Sequence, residues 1–160
     1  MGRWRDGRGT LRVPRVREGA APPGGGPEAA RPRGDDPGPA PVWSELEVPL
    51  EIAASYRARS RGLLGRTGIA GALLLSPASG VHTFRMRFAI DVAYLDRELT
   101  VIAVRTMRPG RLGLPRPRAR HVLEAEAGAL ERWGLRPGVR VSIGSPAGRG
   151  TPATAGGSSP

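Results

Sequence analysis

Residues 81–96 constrain the fold of this chain more than any other part of its sequence. Apolar and polar residues alternate there with the two-residue period of a strand that buries one face. The apolar positions are Phe84, Met86, Phe88, Ile90, Val92 and Tyr94. Arg85 and Arg87 fall on the other face, about 7 Å apart in a continuous strand, and Asp91 follows further along. The pattern predicts a central half-buried strand, or two short strands if the chain breaks near Ala89.

The two ends of the 160-residue chain differ in composition from its middle. Residues 1–41 and 146–160 are rich in Gly, Pro, Ala and Arg and show no apolar periodicity. Such segments bury too little apolar surface to offset the entropy lost on ordering, so we predict that both are disordered and dispensable. The remaining residues, 42–145, have the usual size of a single domain, about 100–150 residues.

Short apolar runs separated by turns containing Gly and Pro fill this domain. Besides the central stretch, the predicted strands cover residues 45–52, 72–75, 99–105, 121–126 and 139–143. Pro49 cannot donate to a β-ladder, so the first strand is expected at a sheet edge. A helix over residues 56–64 should begin at Ser55 and end at Gly65, and a helical turn is expected within 127–133. About seven short strands with one or two short helices predict a mainly β fold, a compact β-sandwich or barrel.

The chain is strongly basic, with a net charge of +11, and all 25 of its basic residues are Arg. A basic domain is typical of proteins that bind nucleic acid or another polyanion. The chain also lacks Lys, Asn and Gln, and this skew indicates GC-rich codon usage as the source of the arginines. Nucleic-acid binding, with the irregular loop 107–120 as the contact, is therefore kept only as the third functional hypothesis.

Missing residue types exclude several kinds of chemistry. Without Cys the chain has neither disulfides nor cysteine zinc sites, and without Lys it has neither a Schiff-base lysine nor a P-loop lysine. The charged opening residues are unlike a secretory signal, and no apolar run approaches the roughly 18 residues of a membrane span. We therefore expect a cytoplasmic protein without a cofactor.

Several ordered sequence blocks resemble the prokaryotic family known as domain of unknown function 192. The blocks cover residues 61–66, 71–75, 83–92 with 95–96, 121–128 and 134–138. The resemblance extends over the domain 42–145 and implies a mostly β architecture like a jelly roll, but it implies no activity. It also implies that Arg66 is the partner of Asp91, a carboxylate in an apolar run that should be partly buried. At residues 84–88 the family usually has Trp-Met-Lys-Asn. This chain has a basic residue there, as the family does, but it lacks the side-chain amide of the Asn.

Arg85 and Arg87 are the leading candidates for an anion-binding site. Two guanidinium groups on one face can hold a carboxylate or a phosphate. The wider predicted ligand-binding site adds Asp91, Arg66 and His82. The structural alternative is an exposed face whose arginines only pair with neighbouring strands. The leading hypothesis is a binding module for a small anionic ligand or for an acidic patch on a partner protein.

An uncatalogued enzyme is the second hypothesis. Asp91, His82 or His121 could act with Glu124 as acid–base groups beside the arginines. These side chains are also of types that bind divalent metals, but there is no His-x-His pair, and we expect no metal site. Neither histidine has a serine partner that the sequence reveals, so serine-nucleophile catalysis is not expected.

Overall fold

The computed structural model describes residues 4–17 and 42–145, which form nine strands and two short helices. In chain order the strands are β1 Gly7–Arg17, β2 Val42–Ala53, β3 Ala72–Leu75, β4 Val81–His82, β5 Ile90–Leu95, β6 Val101–Met107, β7 Leu112–Gly113, β8 His121–Glu126 and β9 Ser142–Gly144. The helices are α1 Tyr56–Arg61 and α2 Ala129–Arg132. Seven strands form one large sheet in the order β6, β5, β8, β3, β2, β1, β9, and β4 pairs with β7 in a small second sheet.

The mainly β fold predicted from the sequence is confirmed. The large sheet is mixed, because β2 and β3 are parallel whereas the other neighbouring strands are antiparallel. Within the described residues it forms an open, sandwich-like array and does not close into a barrel. The jelly-roll arrangement implied by the resemblance remains an expectation. No helix in the described part of the chain is long and apolar enough to cross a membrane.

β1 lies in the segment predicted to be disordered, so that prediction is wrong for residues 7–17. The strand pairs with β2 along its whole length, and the side chains of Leu11 and Val13 are fully buried. These apolar residues alternate with arginines and a proline over too short a distance to stand out from a polar tail. The rest of both predicted tails lies outside the described residues.

β2 lies inside the large sheet, between β1 and β3, and not at the edge predicted from Pro49. Pro49 is opposite Thr10, and the parallel ladder to β3 begins one residue later, at Leu50 opposite Ala72. The ladder to β3 therefore needs no donor from the proline. Gly71, with φ of +98°, approaches β2 so closely that an added Cβ would collide with the Pro49 carbonyl oxygen.

Apolar side chains pack on both faces of the large sheet. β3 and β5 are buried along their whole length, which explains why β3 is entirely apolar and β5 is apolar apart from Asp91. α2 and the residues after it, including Leu130 and Leu135, cover one face. Leu63 after α1, Val81 of β4 and Met86 cover the other face. α2, the segment after α1 and the small sheet thus close the core.

The stretch 81–96 forms two strands, which was the alternative left open by the sequence. Residues 83–89 form turns between β4 and β5. Thr83 fixes these turns, because its amide donates to the Arg111 carbonyl oxygen at 2.8 Å and its hydroxyl donates to the Arg108 carbonyl oxygen at 2.6 Å. The apolar alternation in the first half of the stretch therefore belongs to a turn and not to a strand.

The other elements differ from the prediction mainly at their ends. β3 and β8 have the predicted bounds, and β5 and β6 form an antiparallel hairpin. α1 ends at Arg61 with Gly62 as its C-cap, so the predicted end at Gly65 is wrong, although Gly65 does have a positive φ of 77°. The loop 107–120 contains β7, which the sequence did not reveal.

Candidate functional site

Arg85 and Arg87, the leading candidates from the sequence, do not lie on a strand. Both are exposed in the turns 83–89, and Arg85 has a positive φ of 62°, which an extended strand does not have. The two guanidinium groups therefore do not share a sheet face, and that prediction is wrong. Neither arginine forms an ion pair with a carboxylate among residues 4–17 and 42–145.

Asp91 is buried, but its partners are not the arginine implied by the resemblance. Thr106 Oγ1 donates to Asp91 Oδ1 at 2.7 Å, and the Leu130 amide donates to Oδ2 at 3.2 Å. Arg66 instead forms a bidentate ion pair with Glu51. Arg66 Nη1 donates to Glu51 Oε1 at 2.9 Å and Nη2 donates to Oε2 at 2.8 Å, and this contact lowers the pKa of Glu51. The implied pair is wrong: Asp91 joins α2 to the sheet, and Arg66 ties the loop after α1 to β2.

A cleft of about 830 Å³ lies beside the start of α1, the end of β3 and the start of β8. Three arginines, one histidine and two aromatic residues contribute to its lining, and none of the lining residues is acidic. We call it the arginine cleft. Its lining residues are Trp4, Ala54, Ser55, Tyr56, Arg59, Ser76, Pro77, Arg97, Arg120 and His121. The lining comes from five separate segments, so no local sequence pattern could have predicted it.

The arginines of this cleft make few contacts with other groups. Among the described residues, the side chains of Arg59 and Arg120 donate to backbone carbonyl oxygens, at 2.8 to 3.3 Å. Arg97 Nε lies 4.0 Å from Glu98 Oε1, and both side chains are exposed, so this ion pair is weak. A guanidinium group has five N–H donors, so each arginine keeps donors for an anion.

Two carboxylates near the arginine cleft accept hydrogen bonds from backbone amides. Asp6 Oδ1 accepts from the amides of Ala54 at 2.6 Å and Ser55 at 2.7 Å, and hydrogen bonds from Ser55 lower the pKa of Asp6. Asp96 Oδ1 accepts from two amides of the turn between β5 and β6, both at 2.9 Å. Neither carboxylate forms a direct ion pair with an arginine of the cleft. They support the backbone around the cleft, and the charge of Asp6 also interacts with that of Arg59.

His121 is held in the arginine cleft by a partner that the sequence did not reveal. Its Nδ1 lies 2.8 Å from Ser76 Oγ, across 45 residues of chain, and the Trp4 ring meets the imidazole at a centroid distance of 6.2 Å. Burial lowers the pKa of the imidazole, so His121 is neutral at physiological pH. Ser76 is buried, and its hydroxyl therefore serves as a hydrogen-bond partner and not as an accessible nucleophile.

A second, smaller cavity of about 80 Å³ lies between the end of α1, β4 and β8. We call it the Glu124 cavity. Its lining residues are Arg59, Ser60, Arg61, Gly62, Leu63, Leu64, Leu75, Gly80, Val81, His82, Met86 and Glu124. The volume is that of two or three water molecules, at about 30 Å³ each. Arg59 lines both sites, so α1 borders the arginine cleft as well as the Glu124 cavity.

Glu124 is only 3% exposed, and its Oε2 has no hydrogen-bond partner in the described part of the chain. Burial raises the pKa of this carboxyl group to about 7. Arg59 and Arg61 line the same cavity, yet neither forms an ion pair with it. Gly62, with φ of +46°, passes so near that an added Cβ would lie 3.7 Å from Oε2. A carboxyl group that is partly protonated at neutral pH can both accept and donate a proton.

The acid–base residues that the sequence grouped together lie in different places. Asp91 is opposite Ala125 in the ladder of β5 and β8, so Glu124, one residue earlier, faces the other side of the sheet. His121 lines the arginine cleft, and His82 lines the Glu124 cavity. Of this set, the structure brings together only His82 and Glu124, so the predicted group does not form one catalytic or metal-binding cluster.

Two relatives of this chain are named only as UPF0127 proteins, without an activity. The UPF0127 protein of Pyrococcus abyssi is 32% identical over 103 residues, which cover 61% of this chain and 83% of the relative. The UPF0127 protein of Pyrococcus horikoshii is 31% identical over 90 residues, which cover 53% of this chain and 78% of the relative. A crystal structure of a protein of unknown function from Novosphingobium aromaticivorans matches with a TM-score of 0.55 and 19% identity, over 61% of this chain and 76% of that one. At this identity the structural likeness supports the fold alone.

A protein-family model described as "DUF192: Uncharacterized ACR, COG1430" matches residues 42–143. The match begins at β2 and includes every later strand apart from the last residue of β9. It also contains Arg59, Arg97 and Arg120 of the arginine cleft, and Glu124. This chain is therefore a member of the DUF192 family, as the resemblance of its sequence blocks implied.

Proposed function

We propose that this protein binds a small anionic ligand in the arginine cleft. The observation that carries the proposal is the placement of Arg59, Arg97 and Arg120 around one concave surface that has no acidic lining residue. Guanidinium groups hold carboxylates and phosphates through charge-assisted hydrogen bonds, often two at a time. The hypothesis of an anion-binding module is thus kept, but with different arginines in a different place.

The rest of the lining favours a ligand that joins an anionic group to an apolar or planar part. Trp4 and the exposed Tyr56 offer aromatic surface, and Pro77 adds apolar surface between α1 and β8. Ligand sites commonly bury most of a molecule against such surfaces and fix its orientation with a few polar groups. Neutral His121 adds a hydrogen-bonding group without further charge. An organic carboxylate or organic phosphate therefore fits this cleft better than an inorganic anion does.

Thermal unfolding with added anions tests the proposal, because a ligand that binds only the native state raises the Tm. The probes are inorganic phosphate, a nucleoside monophosphate and benzoate. We expect the organic anions to raise the Tm more than phosphate does at equal concentration. Arg59→Ala and Arg97→Ala should each weaken binding about 10- to 100-fold, since a hydrogen bond to a charged group contributes about 1.5–3 kcal/mol.

Arg57→Ala is the matched control. Arg57 lies in α1, as Arg59 does, and is exposed, but it does not line the arginine cleft. This variant removes the same charge from the same helix and should bind the anions as the wild type does. If Arg57→Ala and Arg59→Ala weakened anion binding equally, the effect would come from the overall charge and not from the cleft. If no anion raised the Tm, the proposal would be contradicted.

A proton-transfer enzyme is a second candidate function, favoured by Glu124. This carboxyl group is buried without a hydrogen-bond partner for Oε2, in a cavity that His82 also lines, and burial raises its pKa to about 7. Acid–base catalysts work best with a pKa near the working pH. Carbon-13 NMR of the Glu124 carboxyl group in the full chain should show a titration midpoint near neutral pH. A midpoint near the ordinary value of 4.5 would remove the basis for this candidate.

A further inference from the structure

Exposed apolar side chains gather at the small sheet of β4 and β7. Four large hydrophobic side chains are exposed in the described part of the chain, and three of them are Phe84 at 48%, Leu112 at 64% and Leu114 at 77%. The fourth, Tyr56, lines the arginine cleft. We call the surface formed by residues 81–89 and 107–118 the β4–β7 platform. Exposed apolar residues that share one patch commonly mark a contact with a protein or a membrane.

His82 makes the patch continuous. Its ring stacks on Phe84, with centroids 5.4 Å apart and planes inclined by 20°, and His82 is opposite Leu112 in the ladder of β4 and β7. Leu114 follows two residues after Leu112. The apolar side chains therefore belong to one surface and are not isolated residues.

The platform is also strongly and uniformly positive. Its two segments carry six arginines and no Asp or Glu, and these arginines are Arg85, Arg87, Arg108, Arg111, Arg116 and Arg118. Five of them are exposed, whereas Arg116 is partly buried over the Tyr94 ring, 5.1 Å from its centroid. An exposed apolar patch surrounded by cations fits a partner that has anionic groups at its surface and an apolar layer beneath them.

The two segments of the platform are joined rigidly. The Arg111 amide donates to Thr83 Oγ1, and the Gly110 amide donates to the Thr83 carbonyl oxygen, both at 2.8 Å. Gly113 lies against the interior so closely that an added Cβ would be 2.6 Å from Tyr94 Oη. Gly113 is therefore fixed against the core, whereas Leu112 and Leu114 on either side of it are exposed at the edge of a cavity of about 600 Å³ that Tyr94 also lines.

We propose that the β4–β7 platform binds the surface of an anionic lipid membrane. Leucine and phenylalanine side chains on a rigid support insert at the boundary between headgroups and acyl chains, and arginines around them attract anionic headgroups. Each arginine near such a surface increases the affinity about fivefold. A nucleic acid would use the arginines but gain nothing from the exposed leucines. The membrane surface accounts for both features, and this inference is independent of the ligand in the arginine cleft.

Cosedimentation of the full chain with phospholipid vesicles tests the inference. We expect binding to vesicles of phosphatidylcholine mixed with phosphatidylglycerol, weakening as salt is added, and little binding to phosphatidylcholine alone. The double variant Leu112→Ser/Leu114→Ser should bind about tenfold or more weakly although its charge is unchanged. Arg108→Gln/Arg111→Gln should bind about 25-fold more weakly, and both residues keep the backbone groups that contact Thr83.

The charge control is Arg57→Gln/Arg136→Gln, which removes two exposed arginines outside the platform and should leave vesicle binding nearly unchanged. Circular dichroism confirms that each variant is folded. Absence of binding to anionic vesicles at low salt would overturn the inference. Undiminished vesicle binding by the leucine variant would also overturn it. If a single-stranded oligonucleotide bound more tightly than the vesicles, and this binding depended on the arginines, the platform would be assigned to nucleic acid.

Discussion

Replacing Glu124 by Gln should stabilise the protein above neutral pH, and the gain should shrink in acid. The substitution keeps the size and shape of the side chain but removes its ability to ionise. Burial raises the pKa of the native carboxyl group to about 7, compared with an ordinary value of 4.5 for an exposed glutamate. Between these two values the native state keeps a proton that the unfolded state has lost.

The sign of the pH dependence follows from this difference. Because the unfolded state releases its proton first, the free energy of unfolding of the wild type falls as the pH rises from about 4.5 to about 7. The difference between the two pKa values corresponds to a loss of about 3 kcal/mol in the free energy of unfolding. This cost is absent below the lower pKa and fully present above the higher one. Gln never ionises, so Glu124→Gln should not show the loss.

Urea unfolding of both proteins at several pH values measures the effect. The free energy of unfolding of Glu124→Gln minus that of the wild type should grow from about 1 kcal/mol at pH 5 to about 3 kcal/mol at pH 8. His82, Arg59 and Arg61 line the same cavity as Glu124, and Tyr94 interacts electrostatically with it. The titration of these groups largely cancels in this difference because both proteins contain them.

Glu126→Gln is the control for this experiment, because it removes a carboxylate from the same strand at an exposed position. We expect no comparable gain at high pH from that variant. A difference between Glu124→Gln and the wild type that stays constant from pH 5 to pH 8 would refute the argument. A loss of stability on substitution at pH 8 would show that an unseen partner stabilises the ionised carboxylate.

Three further perturbations test the scaffold by urea unfolding. Asp91→Ala leaves the buried Leu130 amide and the Thr106 hydroxyl without their acceptor and should lower the free energy of unfolding by about 1–3 kcal/mol, while anion binding in the arginine cleft persists. Gly71→Ala should destabilise strongly because of the collision with β2, whereas Gly68→Ala, where an added Cβ meets nothing within 4 Å, should change stability by less than about 0.5 kcal/mol. Removing residues 1–41 deletes β1 with two fully buried apolar side chains and should lower the free energy of unfolding by at least about 3 kcal/mol; an unchanged value would restore the view that this segment is dispensable.

The sequence predicted best those strands whose apolar runs have sharp ends. β3 follows a glycine and ends before Ser76 and Pro77, and β8 ends where Ala127 and Gly128 begin a turn. In both strands the turn residues and the buried apolar run mark the same ends, so the predicted bounds are those of the structure. β1 was missed because its contribution to the core depends on pairing with β2, a tertiary effect that its short apolar pattern does not show.

The main error in the predicted site came from extending one pattern across a turn. Alternation over residues 84–88 has the period of a strand, but Thr83 binds the chain into turns through hydrogen bonds to residues 108 and 111. Those partners are distant in sequence, so periodicity could not reveal them. Once the turn forms, Arg85 and Arg87 lose their common face and become part of the β4–β7 platform.

The buried carboxylates show what periodicity can and cannot indicate. Asp91 was expected to be partly buried because it lies in an apolar run, and its burial is confirmed. Glu124 lies in a similar run, between Leu123 and Ala125, so the same reasoning could have identified it. What the sequence could not show is that Asp91 accepts two hydrogen bonds while Glu124 Oε2 accepts none from residues 4–17 and 42–145. That difference depends on tertiary contacts, which periodicity does not indicate.

β1 and the residues before it connect the scaffold to the proposed ligand site. Asp6 binds the amides at the start of α1, and Trp4 lines the arginine cleft, yet both precede the family match that begins at residue 42. The three arginines of the cleft lie inside that match. The anion-binding part of the proposed site therefore comes from the family domain, and part of the aromatic surface comes from outside it. Trp4→Ala should consequently weaken benzoate binding while phosphate binding stays dependent on Arg59, and equal weakening of both anions would show that Trp4 acts only through the scaffold.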